Sequence, residues 1–204
     1  MFLEKHYLSQ VKQNEIYHIS EFVVKENFKH HADKWILKSN QDEIYSIYKE
    51  EKEYLKNSKI FAFKNKDGDI LGTIRVLKWD FIDFLPIQKM FGINPLFCTS
   101  NRNINEIWHI GRFAIKKGMR DISLLKKLMI SAIAPVCKHK DNFAFAECDA
   151  KLLRILTLIG IKAEIVGKSI DYLGSETIPI CMCYDGLIDF YNQNKELISS
   201  EFSA

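Results

Sequence analysis

Three basic residues lie where a strand-like stretch of the sequence meets a helix-like stretch. Residues 106–129, EIWHIGRFAIKKGMRDISLLKKLM, place Lys116, Lys117 and Arg120 at this junction. The unpaired backbone N–H groups of the helix start belong to Asp121, Ile122, Ser123 and Leu124. Because these groups and the helix dipole both favour negative charge, the junction is suited to a pyrophosphate. The alternative is a solvated basic turn without a ligand.

Two arginines fall within predicted strands, where a charge is costly unless it has a partner. Arg75 lies in GTIRVL, and Arg112 lies in GRFAI. Either guanidinium could orient the carboxylate of a substrate or neutralise a buried acid. We favour the substrate role for Arg75 and the structural pairing for Arg112.

The cysteines and histidines indicate neither a disulfide framework nor a metal site. Five cysteines are present without a CxxC pair, and we expect each to be a small buried side chain. His30 and His31 are adjacent on a predicted helix and therefore point in different directions. We expect no bound metal.

Length and composition favour one globular domain. The 204 residues are 47% hydrophobic and 27% charged, which is sufficient for a core. The apolar runs are too short to span a bilayer, and residues 1–15 lack the apolar run of a signal peptide, so we expect a cytoplasmic protein. The net charge of +3 is too small to indicate nucleic-acid binding. Residues 112–154 nevertheless contain ten Lys or Arg against four Asp or Glu, which favours a phosphorylated small ligand or an acidic carrier protein.

The hydrophobic pattern changes from helical to alternating near residue 58. Residues 1–58 are predicted to be mostly helical, with Ser20 and Asp42 as caps and a short strand at residues 15–19. Residues 59–184 are predicted to form the sheet, with a hairpin turn at Asp67 and Gly68, and residues 185–204 a C-terminal helix or tail. We predict a single domain of the α/β (α+β) class, whose mixed, mostly antiparallel twisted sheet contains one central parallel strand pair flanked by helices.

Several motifs resemble those of a known enzyme family in their order and spacing. They are GTIRVL at residues 72–77, LPIQKMF at 85–91, GRFAI at 111–115 and LLRILTLIGIKAEIVGKSIDYLG at 152–174. The register from Ile115 to Arg120, Ser123 and Leu125 is similar to the acyl-CoA-binding motif of the GNAT N-acyltransferase superfamily. The whole pattern resembles the acyl-homoserine-lactone (autoinducer) synthases and the long-chain N-acyl amino acid synthases, over about residues 70–180. Ser123 and Leu125 stand where the family motif usually has glycines.

The resemblance implies a GNAT-like sheet whose parallel strand pair is splayed. It also implies that the acyl donor is acyl-CoA or the acyl-phosphopantetheine of an acyl carrier protein. Phe113 and Ile115 match the part of the fourth strand that hydrogen-bonds the pantetheine arm. Lys117, Arg120 and the helix start from Asp121 to Leu124 then fall at the phosphates of the donor.

On the substrate side, the resemblance matches Arg75 to the arginine at the end of the family's third strand and Arg112 to that of its SRF motif. Trp35 is the counterpart of an N-terminal tryptophan. His109 takes the position of the glutamate that serves as base. Because imidazole titrates near neutrality, His109 could deprotonate the amine directly or through a water. The alternative is a core histidine, and Glu106 is then the fallback base.

Acyl transfer also needs donors for the oxyanion and a proton for the departing thiolate. Backbone N–H groups near Arg112 and Phe113 could meet the oxyanion. Tyr172 and Tyr184 are candidates for protonating the thiolate, and each is also explained as a structural residue. A covalent acyl-cysteine at Cys148 is conceivable, although no neighbouring residue in sequence supplies an activating base.

The sequence therefore predicts an N-acyltransferase that moves an acyl group from acyl-CoA or acyl carrier protein to the amine of a small molecule such as an amino acid. The alternative is a catalytically silent module of the same fold that binds CoA or an acyl chain as a sensor. Four aromatic residues of an irregular stretch could line an acyl tunnel or belong to the core. They are Phe81, Phe84, Phe91 and Phe97.

Overall fold

The computed structural model describes residues 6–31, 40–172 and 175–198. The strands are β1 (Tyr7–Gln10), β2 (Ser58–Lys64), β3 (Ile70–Lys78), β4 (Glu106–Ile115), β5 (Asn142–Asp149), β6 (Glu164–Ile165), β7 (Ile170–Tyr172) and β8 (Ser175–Cys183). The helices are α1 (Ile16–His31), α2 (Gln41–Glu53), α3 (Pro86–Phe91), α4 (Pro95–Cys98), α5 (Ile122–Ile133), α6 (Ala150–Leu158) and α7 (Tyr184–Asn194). Short 3-10 turns precede α1 and follow α5 and α7.

All eight strands of the described residues belong to one sheet. The strand order is β1-β2-β3-β4-β5-β8-β6, and β7 also pairs with β8. Neighbouring strands are antiparallel except for β4 and β5, which are parallel and are connected through α5. The predicted mixed, mostly antiparallel sheet with one central parallel pair is therefore confirmed.

The hairpin predicted at Asp67 and Gly68 is also confirmed. It joins β2 and β3, which pair in antiparallel register with Phe61 opposite Ile74. Gly68 has a φ of 88°, a left-handed conformation that glycine adopts without steric strain.

The parallel strands β4 and β5 are paired along only part of their length. Their register begins with Glu106 opposite Asn142 and ends with Ile110 opposite Ala146. Both strands continue beyond this last pair, β4 to Ile115 and β5 to Asp149. The parallel pair is therefore splayed at its carboxyl end, as the family resemblance implies.

A β-bulge in β4 lies at the point where the splay begins. Opposite β3, Thr73 pairs with Ala114 and Arg75 pairs with Gly111, so β4 has one extra residue between these pairs. Arg112 lies in this bulge with a φ of 53°, and its carbonyl accepts a hydrogen bond from the Thr73 hydroxyl (2.8 Å). Because a bulge bends its strand and ends regular pairing, it accounts for the separation of β4 from β5.

Helix α5 packs closely on β3 and buries the apolar face predicted from its sequence. A Cβ atom at Gly72 would lie 2.9 Å from the side chains of both Leu124 and Leu128, so glycine is needed for this close approach. The buried residues of the predicted face are Leu124, Leu125, Leu128, Met129, Ala132 and Ile133.

The strand predicted at residues 15–19 is wrong, because this segment begins α1. Ile16, Ile19 and Val23 are buried at the three- and four-residue spacing of a helix. The backbone N–H of Lys12 donates to the Glu15 carboxylate (2.9 Å), which closes the preceding turn. The first strand is instead β1, which pairs with β2.

The predicted domain division and location stay predictions. β2 begins at Ser58 and β8 ends at Cys183, next to the predicted boundaries. No helix in the described part of the chain is both long enough and apolar enough to cross a membrane.

Candidate functional site

A cavity of about 1190 Å³ opens where β4 and β5 separate. Residues 111–115 of β4 and 147–149 of β5 line it. Helices α1 and α2 contribute further wall residues, and so do the first turns of α5 and α6. The volume is slightly above the range of about 300–1,000 Å³ that is usual for small-molecule sites.

The basic junction between β4 and α5 forms one wall of this cavity. Lys116 and Arg120 line it, and Lys151 adds a third positive charge from the first turn of α6. Asp121 caps α5, because its carboxylate accepts a hydrogen bond from the backbone N–H of Ser123 (2.8 Å). One amide of the helix start, that of Ser123, therefore already has an acceptor within the protein.

Five of the predicted donor-binding residues line the cavity, namely Phe113, Ile115, Arg120, Asp121 and Ile122. Three do not, namely Lys117, Ser123 and Leu124. Leu124 is fully buried in the core beneath α5. Lys117 is bound to α1 instead, because its backbone N–H donates to the buried Glu26 (2.7 Å) and its ammonium group donates to the carbonyl of Lys29.

Four side chains form a continuous hydrogen-bonded chain at the point of separation. Glu51 on α2 binds Arg75 on β3, with Oε1 and Nη1 2.5 Å apart. Arg75 Nη2 lies 3.1 Å from His109 Nδ1, and His109 Nε2 lies 2.9 and 3.0 Å from the two carboxylate oxygens of Glu147. Glu51, Arg75 and His109 are fully buried. Arg75, His109 and Glu147 border the cavity, and Glu147 is the most accessible of these three, with a side chain that is 11% exposed. Gly111 leaves room here, since a Cβ atom would lie 3.1 Å from both Arg75 and His109.

The hydrogen-bond donors around His109 determine which of its two ring nitrogens carries the proton. The arginine side chain has donors and no acceptor, so Nδ1 of His109 accepts from Arg75. Nε2 then carries the proton that is donated to Glu147. A neutral imidazole held in this way has no free lone pair for a further proton. The prediction that His109 itself deprotonates the amine does not fit this geometry.

Arg112 forms a second ion-pair cluster on the cavity wall. Its Nε donates to Glu51 (2.7 Å) and its Nη2 donates to Glu50. Burial alone would lower the pKa of Arg112, but Glu51 and Glu50 outweigh it and raise the pKa above its ordinary value. Burial alone would likewise raise the pKa of Glu50, and the nearby Arg112, Arg75 and Lys89 reverse this to a net lowering. Arg112 and Glu50 are therefore both charged at neutral pH.

Both arginines thus have protein partners. Arg112, for which the structural pairing was favoured, lines the cavity with an 11% exposed side chain and forms ion pairs with Glu50 and Glu51. Arg75, for which the substrate role was favoured, is fully buried and is held by Glu51 and His109. Arg75 borders the cavity, but these two side chains already bind its guanidinium.

Several solved structures have the same fold. FeeM, an N-acyl amino acid synthase from uncultured soil microbes, matches over 95% of this chain and 99% of its own, with 12% identity and a TM-score of 0.66. The AHL synthase LasI matches over 93% and 97%, with 13% identity and a TM-score of 0.57. A GNAT-family acetyltransferase from Staphylococcus aureus Mu50 matches over 88% and 99%, with 13% identity and a TM-score of 0.57.

The chain has the GNAT fold. The predicted resemblance is therefore confirmed at the level of the fold, which is all that identities of this size show. No protein-family model matches the sequence, and no curated protein matches it.

Two residues predicted for the GNAT site, Glu106 and Tyr184, are not brought to the cavity. Glu106 begins β4 at the opposite end of the sheet, where it binds Lys78 and accepts from Trp108 Nε1 (3.1 Å). Tyr184 begins α7 at that same end, because the preceding Cys183 lies opposite Phe143 near the start of β5. Trp35 lies outside the described residues.

Two other candidates do line the cavity. Tyr172 is partly exposed, and burial raises the pKa of its hydroxyl, so this group is protonated at neutral pH. Cys148 is buried, and burial, together with the neighbouring Asp149 and Glu147, raises the pKa of its thiol to about 12. Such a thiol is not ionised near neutral pH, which disfavours the covalent acyl-cysteine.

The aromatic residues of the irregular stretch do not form an acyl tunnel in the described cavity. Phe81, Phe84 and Phe97 are at least half exposed, and Phe91 packs against a separate part of the core. The same stretch instead lines the cavity with Pro86, Lys89 and Met90 of α3.

Glu147, Glu50 and Glu51 were not among the site residues predicted from the sequence. Glu147 is an acid within the apolar strand NFAFAECD, and this was the available signal. Glu50 and Glu51 lie in the charged run KEEKE, which is typical of a solvated helix face. No group of three or more His, Cys, Asp or Glu side chains in the described ranges is arranged to hold a metal ion.

Proposed function

We propose that this protein is an N-acyltransferase. It would move an acyl group from a thioester, either acyl-CoA or acyl carrier protein, to the amine of a small molecule such as an amino acid. The observation that supports this proposal is the cavity in the splayed β4–β5 pair, which combines a basic helix junction with a partly exposed carboxylate. The GNAT fold adds support, because FeeM is an N-acyl amino acid synthase and LasI is an AHL synthase.

The thioester donor would bind at the basic wall. Lys116, Arg120 and Lys151 supply positive charge for the phosphates that both donors carry. Beyond Ile110 the edge of β4 has no partner strand in β5, which leaves room for an extended pantetheine arm, although the Ile115 carbonyl already lies 3.0 Å from His30 Nε2. Apolar side chains of α6, including Ile155, border the same cavity and suit an acyl chain.

The amine would bind at the wall formed by α2, α3 and Tyr172. This wall carries Glu50, Lys89 and Arg112, so charges of both signs are present for a zwitterionic amine. The amine nitrogen attacks the thioester carbonyl, and backbone N–H groups at the bulge near Arg112 and Phe113 would stabilise the oxyanion. Tyr172 would protonate the departing thiolate, since its hydroxyl keeps its proton at neutral pH.

The test is turnover with defined donors. Purified protein is incubated with acyl-CoA of increasing chain length, or with acyl carrier protein thioesters, and a panel of amino acids and other amines. The proposal predicts amine-dependent release of free thiol and an amide product of the summed mass. Binding of CoA in native mass spectrometry without release of thiol from any pair would instead support the sensor alternative.

A further inference from the structure

We infer that Glu147 is the proton acceptor of the acyl transfer and that His109 is a positioning residue that holds it. The inference rests on the proposed function. It assigns the base to a residue on β5, whereas the family resemblance matches the base to position 109 on β4.

Glu147 occupies the first position at which the strands no longer pair. It follows Ala146, the last residue of β5 in register with β4. Its carboxylate lines the cavity and is 11% exposed, so it can reach a bound amine while remaining mostly shielded from water. His109 Nε2 donates to this carboxylate at 2.9 and 3.0 Å, and a carboxylate has further acceptor positions that can receive a proton from the cavity.

The imidazole of His109 is held in place by two further buried side chains, Arg75 and Glu51. The guanidinium of Arg75 has donors and no acceptor, and it donates to Nδ1 (3.1 Å). Glu51 holds Arg75 (2.5 Å), and all three side chains are fully buried. The imidazole therefore acts as a fixed N–H donor that orients Glu147, in the way that a second layer of hydrogen bonds orients a reactive group.

The proton balance of the step is simple. The Glu147 carboxylate takes one proton from the substrate ammonium, which leaves a neutral amine with a free electron pair. The amine nitrogen forms a bond to the thioester carbonyl carbon, and the carbon–sulfur bond breaks as the amide forms. Tyr172 gives its proton to the departing thiolate and regains one from the nitrogen, which loses its second proton as the amide forms, and Glu147 later releases its proton to solvent.

Three substitutions separate the two roles. Glu147→Gln keeps an acceptor for His109 but cannot take a proton, so kcat is expected to fall about a hundredfold or more. His109→Gln can accept from Arg75 through its amide oxygen and donate to Glu147 through its amide nitrogen, so less than about a fivefold loss of kcat is expected. His109→Leu removes both hydrogen bonds and is expected to lose about tenfold to a hundredfold.

Each variant is measured for kcat, KM and CoA affinity, and its folding is checked by circular dichroism. A Glu147→Gln variant with the wild-type rate would overturn the assignment while the proposed function stands. A folded His109→Gln variant that binds CoA but is as slow as Glu147→Gln would also overturn it, because His109 would then be the base. If the wild-type protein releases no thiol with any donor and amine, the proposed function fails and this assignment fails with it.

Nitrogen-15 NMR of the histidine side chains tests the same geometry without turnover. The inference predicts that His109 carries its proton on Nε2 and none on Nδ1, because Nδ1 accepts from Arg75. A proton on Nδ1 would contradict the assignment, whatever the kinetic result.

Discussion

The two ends of the β4–β5 pair consist of the same two strands but differ in pairing and in charge. At the amino end the strands are in register, and Asn105 joins them by donating to the side chain of Asn142 (2.8 Å). The acid at this end, Glu106, is partly exposed and pairs with Lys78. At the carboxyl end the strands separate, and the acid there, Glu147, lies at a cavity and contacts a buried histidine.

The charged residues at the two ends differ in how much free energy is needed to keep them in the folded protein. Exposed ion pairs such as Lys78 with Glu106 contribute little to stability, and they also cost little to maintain. Buried charges such as Glu51 and Arg75 are often no more stabilising than well-packed apolar residues. A buried charge network at the open end therefore indicates a role in the site, beyond the packing of the core.

The largest contrast between the ends is expected in stability. Arg75→Met leaves Glu51 buried without its main partner and removes the donor to His109, so the free energy of unfolding should fall by about 3 kcal/mol or more. Lys78→Met removes only the partly exposed pair with Glu106 and should cost less than about 1 kcal/mol. Urea denaturation of both variants measures the two changes.

Arg112 is expected to limit the destabilisation by Arg75→Met, because its Nε also donates to Glu51 (2.7 Å). The double variant Arg75→Met with Glu51→Gln serves as a control, since it removes both charges and should recover part of the loss. Equal destabilisation by Arg75→Met and Lys78→Met would show that the two ends do not differ in the cost of their charges.

A smaller contrast is expected within the basic turn. Arg120 lines the cavity, whereas the Lys117 ammonium binds the carbonyl of Lys29 on α1. Arg120→Gln should weaken CoA binding by about tenfold, because it removes a charged donor to phosphate. Lys117→Gln, the matched control, should change the dissociation constant by less than about twofold at the same salt concentration. Calorimetric titration measures both dissociation constants. A stronger effect of Lys117→Gln would show that Lys117, rather than Arg120, faces the bound CoA.

The parts of this fold that local patterns dictate could be predicted from the sequence. The Asp67–Gly68 turn follows from the φ that glycine permits, and the buried face of α5 follows from helical spacing. The splay of β4 and β5 was implied by the family resemblance. The error at residues 15–19 has a local cause, because apolar residues at positions 16 and 19 fit a helix as well as a strand end.

The site could be predicted only in part, because its contacts join distant positions of the chain. His109 contacts residues 34 and 38 positions away, and Arg112 contacts acids 61 and 62 positions away. A sequence shows that such residues can ionise, but their partners depend on the register of β3, β4 and α2. His109 was predicted as a site residue and borders the cavity, while its hydrogen bonds, and hence the case for Glu147, required the structure.

The smallest effect is expected at Cys148, which lies at the open end beside Glu147. Its thiol has a pKa of about 12, so at pH 8 only about one thiol in ten thousand is ionised. Intact-mass measurement after incubation with acyl-CoA and no amine should show no acyl adduct on Cys148. Iodoacetamide at pH 8 should modify the exposed Cys98 well before Cys148, although burial also raises the pKa of Cys98. An acyl adduct mapped to Cys148 would instead indicate that the acyl group is transferred through a covalent thioester on this residue.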